Sequence, residues 1–304
     1  MYQHLETLWP HVKDRLCAIA YSTGLILAEQ KPTFRLLQST TGFRAVELSE
    51  FLQAEMLGWE TDSLFDEVIR DLPAGGELIT DEVVLPKENT SEMEASLVYS
   101  SSQKRLLQGQ AYAVLVWAQG QTTRVVGFRA VYDDLFAVTE EMTRHFLSLG
   151  PAVTGLRADG AYFKPGCWKP LKALGLPLVS KPRRDTWWWY GNEEIQFIIS
   201  TGLTLSTRQI ILAYRGRWRI EVLFRDCKQH LGLKAHQGWK QSSLRHVAMV
   251  FLSYNFLATE RELQEGTLGA RKRDWIQASK QERTALSGQS NEKNGSTQAL
   301  QMSS

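Results

Sequence analysis

Apolar residues recur every three or four positions through the first 70 residues, which is the spacing of amphipathic helices. Pro32 and the Thr-Thr-Gly turn at 40–42 interrupt this pattern. We therefore expect three or four short helices here. A turn-rich break follows at 71–76, so we place a domain boundary there and assign residues 1–72 to a helical N-terminal region.

After this break the pattern changes to short apolar runs rich in β-branched residues, which are typical of strands. These runs lie at 77–87, 110–120, 122–133, 151–159 and 176–181. Amphipathic helices are predicted at 134–149 and 168–174, and an apolar helix at 242–264. Residues 88–109 are polar and rich in serine, which indicates a mostly irregular connection. The mixture predicts an α/β domain over residues 73–265.

Residues 208–231 lack proline and consist mostly of good helix formers, so they predict one long helix despite Gly216. At about 100° per residue, four polar residues fall on one stripe of this helix. They are Tyr214, Arg217, Glu221 and Lys228, with Arg225 beside them. The opposite side is apolar and can dock on a core; it carries Leu212, Ile220, Leu223 and Cys227.

Positive charge is concentrated in the same stretch. Residues 207–240 contain eight Lys or Arg and two acids, a balance of +6, whereas the whole chain carries +2. A carboxylate among cations suits a site that binds a divalent metal ion and a phosphate-rich polyanion together. A solvated basic helix, with intrahelical pairs between Glu221 and its arginine neighbours, explains the pattern equally well.

The residues Tyr214, Arg217, Glu221 and Lys228, at offsets of three, seven and fourteen, resemble the signature of the IS-four group of DDE transposases. The resemblance implies a ribonuclease H-like mixed sheet flanked by helices, with a helical N-terminal region that contacts DNA; a subdomain that only packs on the core explains this region equally well. It also implies a small β-rich insertion at about 181–204. The implied activity is DNA strand cleavage and strand transfer by two Asp and one Glu, which bind two Mg²⁺ or Mn²⁺ ions.

Two aspartates occur in the order that the resemblance requires. Asp81 lies in the first predicted strand, where the family carries Asp-Asp-Thr, although Glu82 and Val83 depart from that pattern. Asp159 ends a later strand and begins Asp-Gly-Ala-Tyr, which is similar to the family's Asp-x-x-Tyr. The resemblance therefore implies Asp81, Asp159 and Glu221 as catalytic and metal-binding residues. It implies DNA contacts for Tyr214, Arg217 and Lys228, and we add Arg225.

Composition favours a soluble, cytoplasmic protein with a large core. The chain of 304 residues is 43% hydrophobic, and its three cysteines match neither a disulfide framework nor zinc-ligand spacing. Its apolar runs are too short to cross a bilayer. Beyond residue 265 the chain is polar, so residues 266–304 are predicted to be disordered.

Three interpretations of the function stay open. The first is an active transposase that acts on double-stranded DNA, namely the terminal inverted repeats and the target, as a nucleoid-associated homodimer. The second is a decayed or domesticated relative that binds DNA without cutting it. The third is a non-enzymatic adaptor that uses the basic helix for protein or RNA contacts. Residues 187–189 are three tryptophans, for which strand packing is a better explanation than base stacking.

Overall fold

The computed structural model describes residues 12–54, 61, 63–87, 96–100, 104–132, 134–162, 165–181, 198–238, 240–263 and 266–301. Within these ranges the N-terminal part contains α1 (Val12–Leu27), α2 (Phe34–Thr41), α3 (Ala45–Gln53) and α4 (Asp66–Arg70). Thr33 begins α2, because its hydroxyl oxygen accepts a hydrogen bond from the Leu36 amide at 3.2 Å. Gly42 ends this helix with a φ of 79°, a left-handed conformation that glycine adopts readily. The predicted helical N-terminal region is therefore confirmed.

One mixed sheet forms the centre of the protein. Its strands are β1 (Gly76–Pro86), β2 (Ser96–Ser100), β3 (Arg105–Gln119), β4 (Thr122–Val131), β5 (Val153–Ala158), β6 (Leu178–Ser180) and β7 (Ile199–Ser200). Their order is β2-β3-β1-β5-β6-β7, and β4 also pairs with β3. The β1–β5 and β5–β6 pairs are parallel, and the other pairs are antiparallel. A parallel pair beside antiparallel strands brings the C-terminal end of β5 next to the middle of β1.

Helices flank this sheet. They are α5 (Leu135–Leu149), α6 (Pro165–Ala173), α7 (Thr207–Gly216), α8 (Trp218–His230), α9 (Lys240–Leu263) and α10 (Leu268–Gln301), together with a 3-10 turn at Gly160–Tyr162. Helix α5 packs on β3 and β4, and α9 packs on β4 and on the N-terminal helices α1 and α3. The N-terminal helices and the sheet therefore contribute to one hydrophobic core. No helix in the described part of the chain is long and apolar enough to cross a membrane.

Asn255 joins α9 to the sheet by supplying hydrogen bonds that a neighbouring strand would otherwise supply. Its side-chain oxygen accepts from the Val125 amide, and its side-chain nitrogen donates to the Val125 carbonyl, both at 2.8 Å. Asn255 is 5% exposed, so both hydrogen bonds lie in the core. This contact fixes α9 against β4 at one residue.

The structure differs from the sequence-based prediction at the long helix. The predicted helix over 208–231 is two helices, α7 and α8, that are separated at Arg217. At this junction the hydrogen bonds are of the tighter i to i+3 type: the Arg217 amide donates to the Tyr214 carbonyl at 3.1 Å. Gly216 lowers the helix propensity there. Leu212, which we expected to dock on the core, is 54% exposed.

Two other segments are more ordered than predicted. Part of the expected irregular connection at 88–109 is strand, because β2 and the first residues of β3 form a hairpin that satisfies their backbone hydrogen bonds. The tail predicted to be disordered contains α10. Leu268 is buried, Lys272 donates to the Leu25 carbonyl at 3.1 Å, and the Trp275 ring centroid lies 5.2 Å from that of Phe256. These few contacts anchor a helix whose average composition is polar.

Most of the insertion predicted at 181–204, including residues 187–189, lies outside the described residues. Its described end contains β7, which pairs with β6.

Candidate active site

Asp81 and Asp159 lie next to each other because two parallel strands bring them together. Thr80 of β1 pairs with Ala158 of β5, and the two aspartates follow directly after these residues. Neighbouring strands are about 4.8 Å apart, so the two carboxylates start from adjacent backbone positions. Asp81 accepts a hydrogen bond from the Glu82 amide at 2.8 Å. Asp159 accepts one from the Gly160 amide at 2.6 Å.

Helix α8 brings the third acid to the same place. Ile220, Leu223 and Cys227 are fully buried on one side of α8, which packs against β1. Glu221 follows Ile220, and its side chain is 32% exposed. The apolar side that the sequence predicts for this half of the helix therefore orients the polar stripe towards Asp81.

Arg217 joins two of the acids. Its Nη1 lies 3.2 Å from Asp81 Oδ2, and its Nη2 lies 2.5 Å from Glu221 Oε1. Its side chain is only 14% exposed. Burial opposes the charge on Arg217, but attraction to Asp81 and Glu221 raises the pKa of its guanidinium above the ordinary value. The guanidinium therefore neutralises carboxylates that would otherwise repel each other.

The environment of Asp81 indicates that all three acids interact. Burial raises the pKa of Asp81 to about 7, and the negative charges of Asp159 and Glu221 act in the same direction. The Glu82 amide and the Arg217 guanidinium oppose this effect. A buried carboxylate beside two others is ionised only at a free-energy cost unless a cation lies close by.

The other residues of the predicted site differ in whether they face the acids. Tyr214 lies beside Arg217, whose guanidinium carbon is 5.7 Å from the phenol ring centroid. Lys228 is attracted to Asp81 but lies over the Phe224 ring, with Nζ 5.8 Å from the ring centroid. Arg225 is turned towards solvent: its side chain is 56% exposed, and its Nε lies 3.5 Å from Asp226 Oδ1.

The chemistry of these donors suits a divalent metal ion, but their present arrangement does not form a complete site. Carboxylate oxygens are the ligands that Mg²⁺ prefers. Across the ranges that the structure describes, no group of three or more His, Cys, Asp or Glu side chains is arranged to hold a metal ion. Instead, the guanidinium of Arg217 lies between Asp81 and Glu221. A metal ion that bound both carboxylates would take the place of that guanidinium.

Tyr162 has a role that its place in the Asp-x-x-Tyr pattern did not predict. Its hydroxyl is buried and lies 3.4 Å from the hydroxyls of both Thr80 and Thr139. These contacts connect α5 to β1 at Thr80, the residue before Asp81. Tyr162 therefore supports the turn that carries Asp159. In the sequence, the feature that pointed to this residue was an aromatic side chain three positions after Asp159.

Comparison with known proteins gives two findings. The model of the family described as the transposase DDE domain matches residues 107–256, a range that includes Asp159 and Glu221 and begins after Asp81. The chain also resembles the piggyBac transposase in the cryo-EM structure of its synaptic complex with hairpin DNA. The TM-score is 0.53 at 9% sequence identity, over 88% of this chain and 70% of that one. No curated protein matches the sequence.

At this identity the likeness to the piggyBac transposase shows a shared fold. The predicted α/β class, a mixed sheet flanked by helices of the transposase nuclease type, is thereby confirmed. The family match supports a DDE transposase.

Proposed function

We propose that this chain is a DDE transposase of the IS-four group, which cuts DNA at the ends of an insertion element and transfers the cut strand. The observation that carries the proposal is that Arg217 pairs with both Asp81 and Glu221, while Asp159 follows the strand residue that pairs with Thr80, next to Asp81. The match of residues 107–256 to a transposase domain supports it.

Asp81, Asp159 and Glu221 would hold Mg²⁺ or Mn²⁺. Two such ions, when bound, supply an activated oxygen nucleophile and stabilise the leaving 3′-oxygen. The parallel pairing of β1 and β5 supports this role, because it keeps two carboxylates at neighbouring positions. The buried apolar side of α8 supports it too, because it holds Glu221 towards them.

The basic residues of the stripe would bind the phosphates that flank the cut. Arg217 has a fork of donors that matches phosphate geometry, and in the absence of DNA the same fork occupies two carboxylates. Among the described residues, Lys228 forms no ion pair with an acid. It is attracted to Asp81, and its ammonium group is available to a phosphate oxygen. Tyr214 stacks beside Arg217 and would limit the directions in which the guanidinium moves.

The partners of this activity would be double-stranded DNA and a second copy of the chain. The terminal inverted repeats of the element and its target DNA would both bind beside the carboxylates. A homodimer would bring two ends together. One solved structure with this fold is the synaptic complex of the piggyBac transposase with hairpin DNA, which agrees with DNA as the substrate class.

A nicking assay tests the proposal. The substrate is a labelled duplex that carries the inverted repeats flanking the gene, incubated with Mg²⁺ or with EDTA. We expect Mg²⁺-dependent nicking that Glu221→Gln and Asp159→Asn abolish. Glu282→Gln, an exposed residue of α10, is the control and should nick at the wild-type rate.

Gel retention of the same labelled duplex separates the other two functions. Retention of the duplex without nicking by the wild-type protein would indicate a relative that binds DNA but has lost cleavage. The presence of Glu82 and Val83, where the family has Asp and Thr, favours this second candidate. Failure to retain any DNA at moderate salt would contradict both and would favour an adaptor.

A further inference from the structure

A cavity with a basic lining lies beside the candidate active site. It has a volume of about 780 Å³ and lies between the loop after α1, the C-terminal end of α8 and the helix α10. Six basic side chains line it: Lys31, Lys228, Lys234, Lys272, Arg273 and Lys280. Glu29 is the acid among its lining residues. We call this feature the basic cavity.

Most of this positive charge is not compensated within the described residues. Glu29 pairs with Lys280 at 2.5 Å, and Lys272 donates to the carbonyls of Leu25 and His230. Across the described ranges, no carboxylate lies within ion-pair distance of Lys31, Lys234 or Arg273, and all three are exposed. Clustered like charges repel one another, so the cavity favours an anionic ligand.

The cations also influence each other. Burial lowers the pKa of Lys228, and the positive charge of Lys234 lowers it further. Burial also lowers the pKa of His230, and the positive charges of Lys272 and Arg273 lower it further. Binding of a polyanion would relieve this repulsion, because each phosphate would lie among several cations.

Lys228 lines the basic cavity and is also attracted to Asp81, so this side chain links the cavity to the carboxylate site. Glu221 and Lys228 are seven residues apart on α8, which is about 10 Å at 1.5 Å per residue. At about 3.4 Å per nucleotide of one strand, this distance corresponds to roughly three nucleotides. A strand bound at the carboxylates therefore reaches the cavity within a few phosphates.

We propose that the basic cavity binds the sugar–phosphate backbone of a DNA strand where that strand leaves the carboxylate site. This inference rests on the proposed function. Among the described residues the lining includes no Phe, Tyr or Trp side chain, and its aromatic ring is the small imidazole of His230, so it offers cations and amides rather than a broad surface for base stacking. Contacts of this kind position a strand without reading its sequence. The lack of a surface for a base also argues against a free nucleotide as the ligand.

Fluorescence anisotropy of a labelled duplex tests the inference. Binding is measured in EDTA across a series of salt concentrations, so that no cleavage enters the result. The test variant combines Lys31→Gln, Lys234→Gln and Arg273→Gln. The control combines Lys104→Gln, Arg35→Gln and Lys169→Gln, which removes the same charge from exposed residues that do not line the cavity.

We expect the test variant to bind at least about tenfold more weakly at moderate salt, with a shallower salt dependence. Each lost phosphate contact lowers the slope of log K against log salt by about 0.9 for duplex DNA, so three contacts lower it by about 3. The control should keep the wild-type slope. Replacement with the other basic residue, as Lys31→Arg, Lys234→Arg and Arg273→Lys, should restore binding and exclude a folding defect.

Equal slopes for the test variant and the wild type would overturn the inference, as would binding of ATP without binding of the duplex. These results are distinct from failure of the proposed function. If the wild type nicks DNA but the test variant binds normally, the transposase proposal stands and the inference fails. If the cavity residues govern binding but no nicking occurs, the inference stands and the cleavage proposal fails.

Discussion

Removal of Arg217 should destabilise the protein in a way that a divalent metal ion repairs. The guanidinium lies between Asp81 and Glu221, so Arg217→Ala leaves two carboxylates without a neutralising partner. Breaking a fully buried ion pair costs about 3–5 kcal/mol. The Asp81 and Glu221 side chains are 19% and 32% exposed, so solvent screens part of this cost. We therefore expect a loss of about 2–3 kcal/mol, or a Tm lower by about 3–5 °C at an unfolding entropy of about 2.1 cal/mol/K per residue.

The measurement is thermal unfolding in EDTA and in Mg²⁺ at neutral pH. Arg215→Ala is the matched control, because Arg215 is exposed two residues earlier, in the last turn of α7. A ligand at 100 times its Kd stabilises a protein by about 2.7 kcal/mol, so Mg²⁺ should restore most of the lost stability in Arg217→Ala. In the wild type the ion must displace the guanidinium, so its effect on Tm should be smaller.

Two results would refute this reasoning. One is that Arg217→Ala unfolds at the same temperature as Arg215→Ala in EDTA, which would mean that the guanidinium does not neutralise the acids. The other is an equal rise in Tm on addition of Mg²⁺ to Arg217→Ala and to the wild type. In that case the metal ion would not compete with Arg217 for the carboxylates.

Three further predictions concern the fold. Asn255→Leu should lower the free energy of unfolding, measured by urea denaturation, by about 2–3 kcal/mol, because it leaves the buried amide and carbonyl of Val125 unpaired. A loss below about 0.5 kcal/mol, which is typical of surface substitutions, would contradict this account. Burial lowers the pKa of His246 to about 3, so the unfolded chain binds more protons than the folded one below pH 6.5 and stability falls as the pH decreases. His246→Gln should therefore remove about 2 kcal/mol of the stability difference between pH 7 and pH 5, and an unchanged pH dependence would exclude a neutral, buried ring. Truncation after Gly266 should lower Tm by several degrees, because it removes the buried side chain of Leu268 and the contact of Trp275 with Phe256; a disordered tail would leave Tm unchanged.

The strands and the order of the acids could be predicted because their signals are local. A period of two, β-branched runs and turn residues define β1, β3, β4 and β5 without reference to the rest of the chain. An aspartate within or directly after such a run is visible in the same way. The spacing of Tyr214, Arg217, Glu221 and Lys228 depends only on helical periodicity, which holds across the junction at Arg217.

The parts that could not be predicted depend on contacts between distant segments. Helix α10 is polar on average, and its order depends on Lys272 and Trp275 meeting α1, α8 and α9. The ion pair between Arg217 and Asp81 joins residues 136 positions apart. From the helix alone, Glu221 and its neighbours predict only intrahelical pairs. The basic cavity combines three segments, and charge counts over single segments do not reveal it.

The basic cavity also has a consequence for the order of events during protein synthesis. Its walls come from residues near Lys31, from the end of α8 and from residues as late as Lys280. Translation at about 5–20 residues per second separates the appearance of Lys31 and Arg273 by roughly 10–50 s. A nascent chain therefore exposes the first basic side chains long before the surface that gathers them exists. The complete cavity is assembled only after residues as late as Lys280 have left the ribosome.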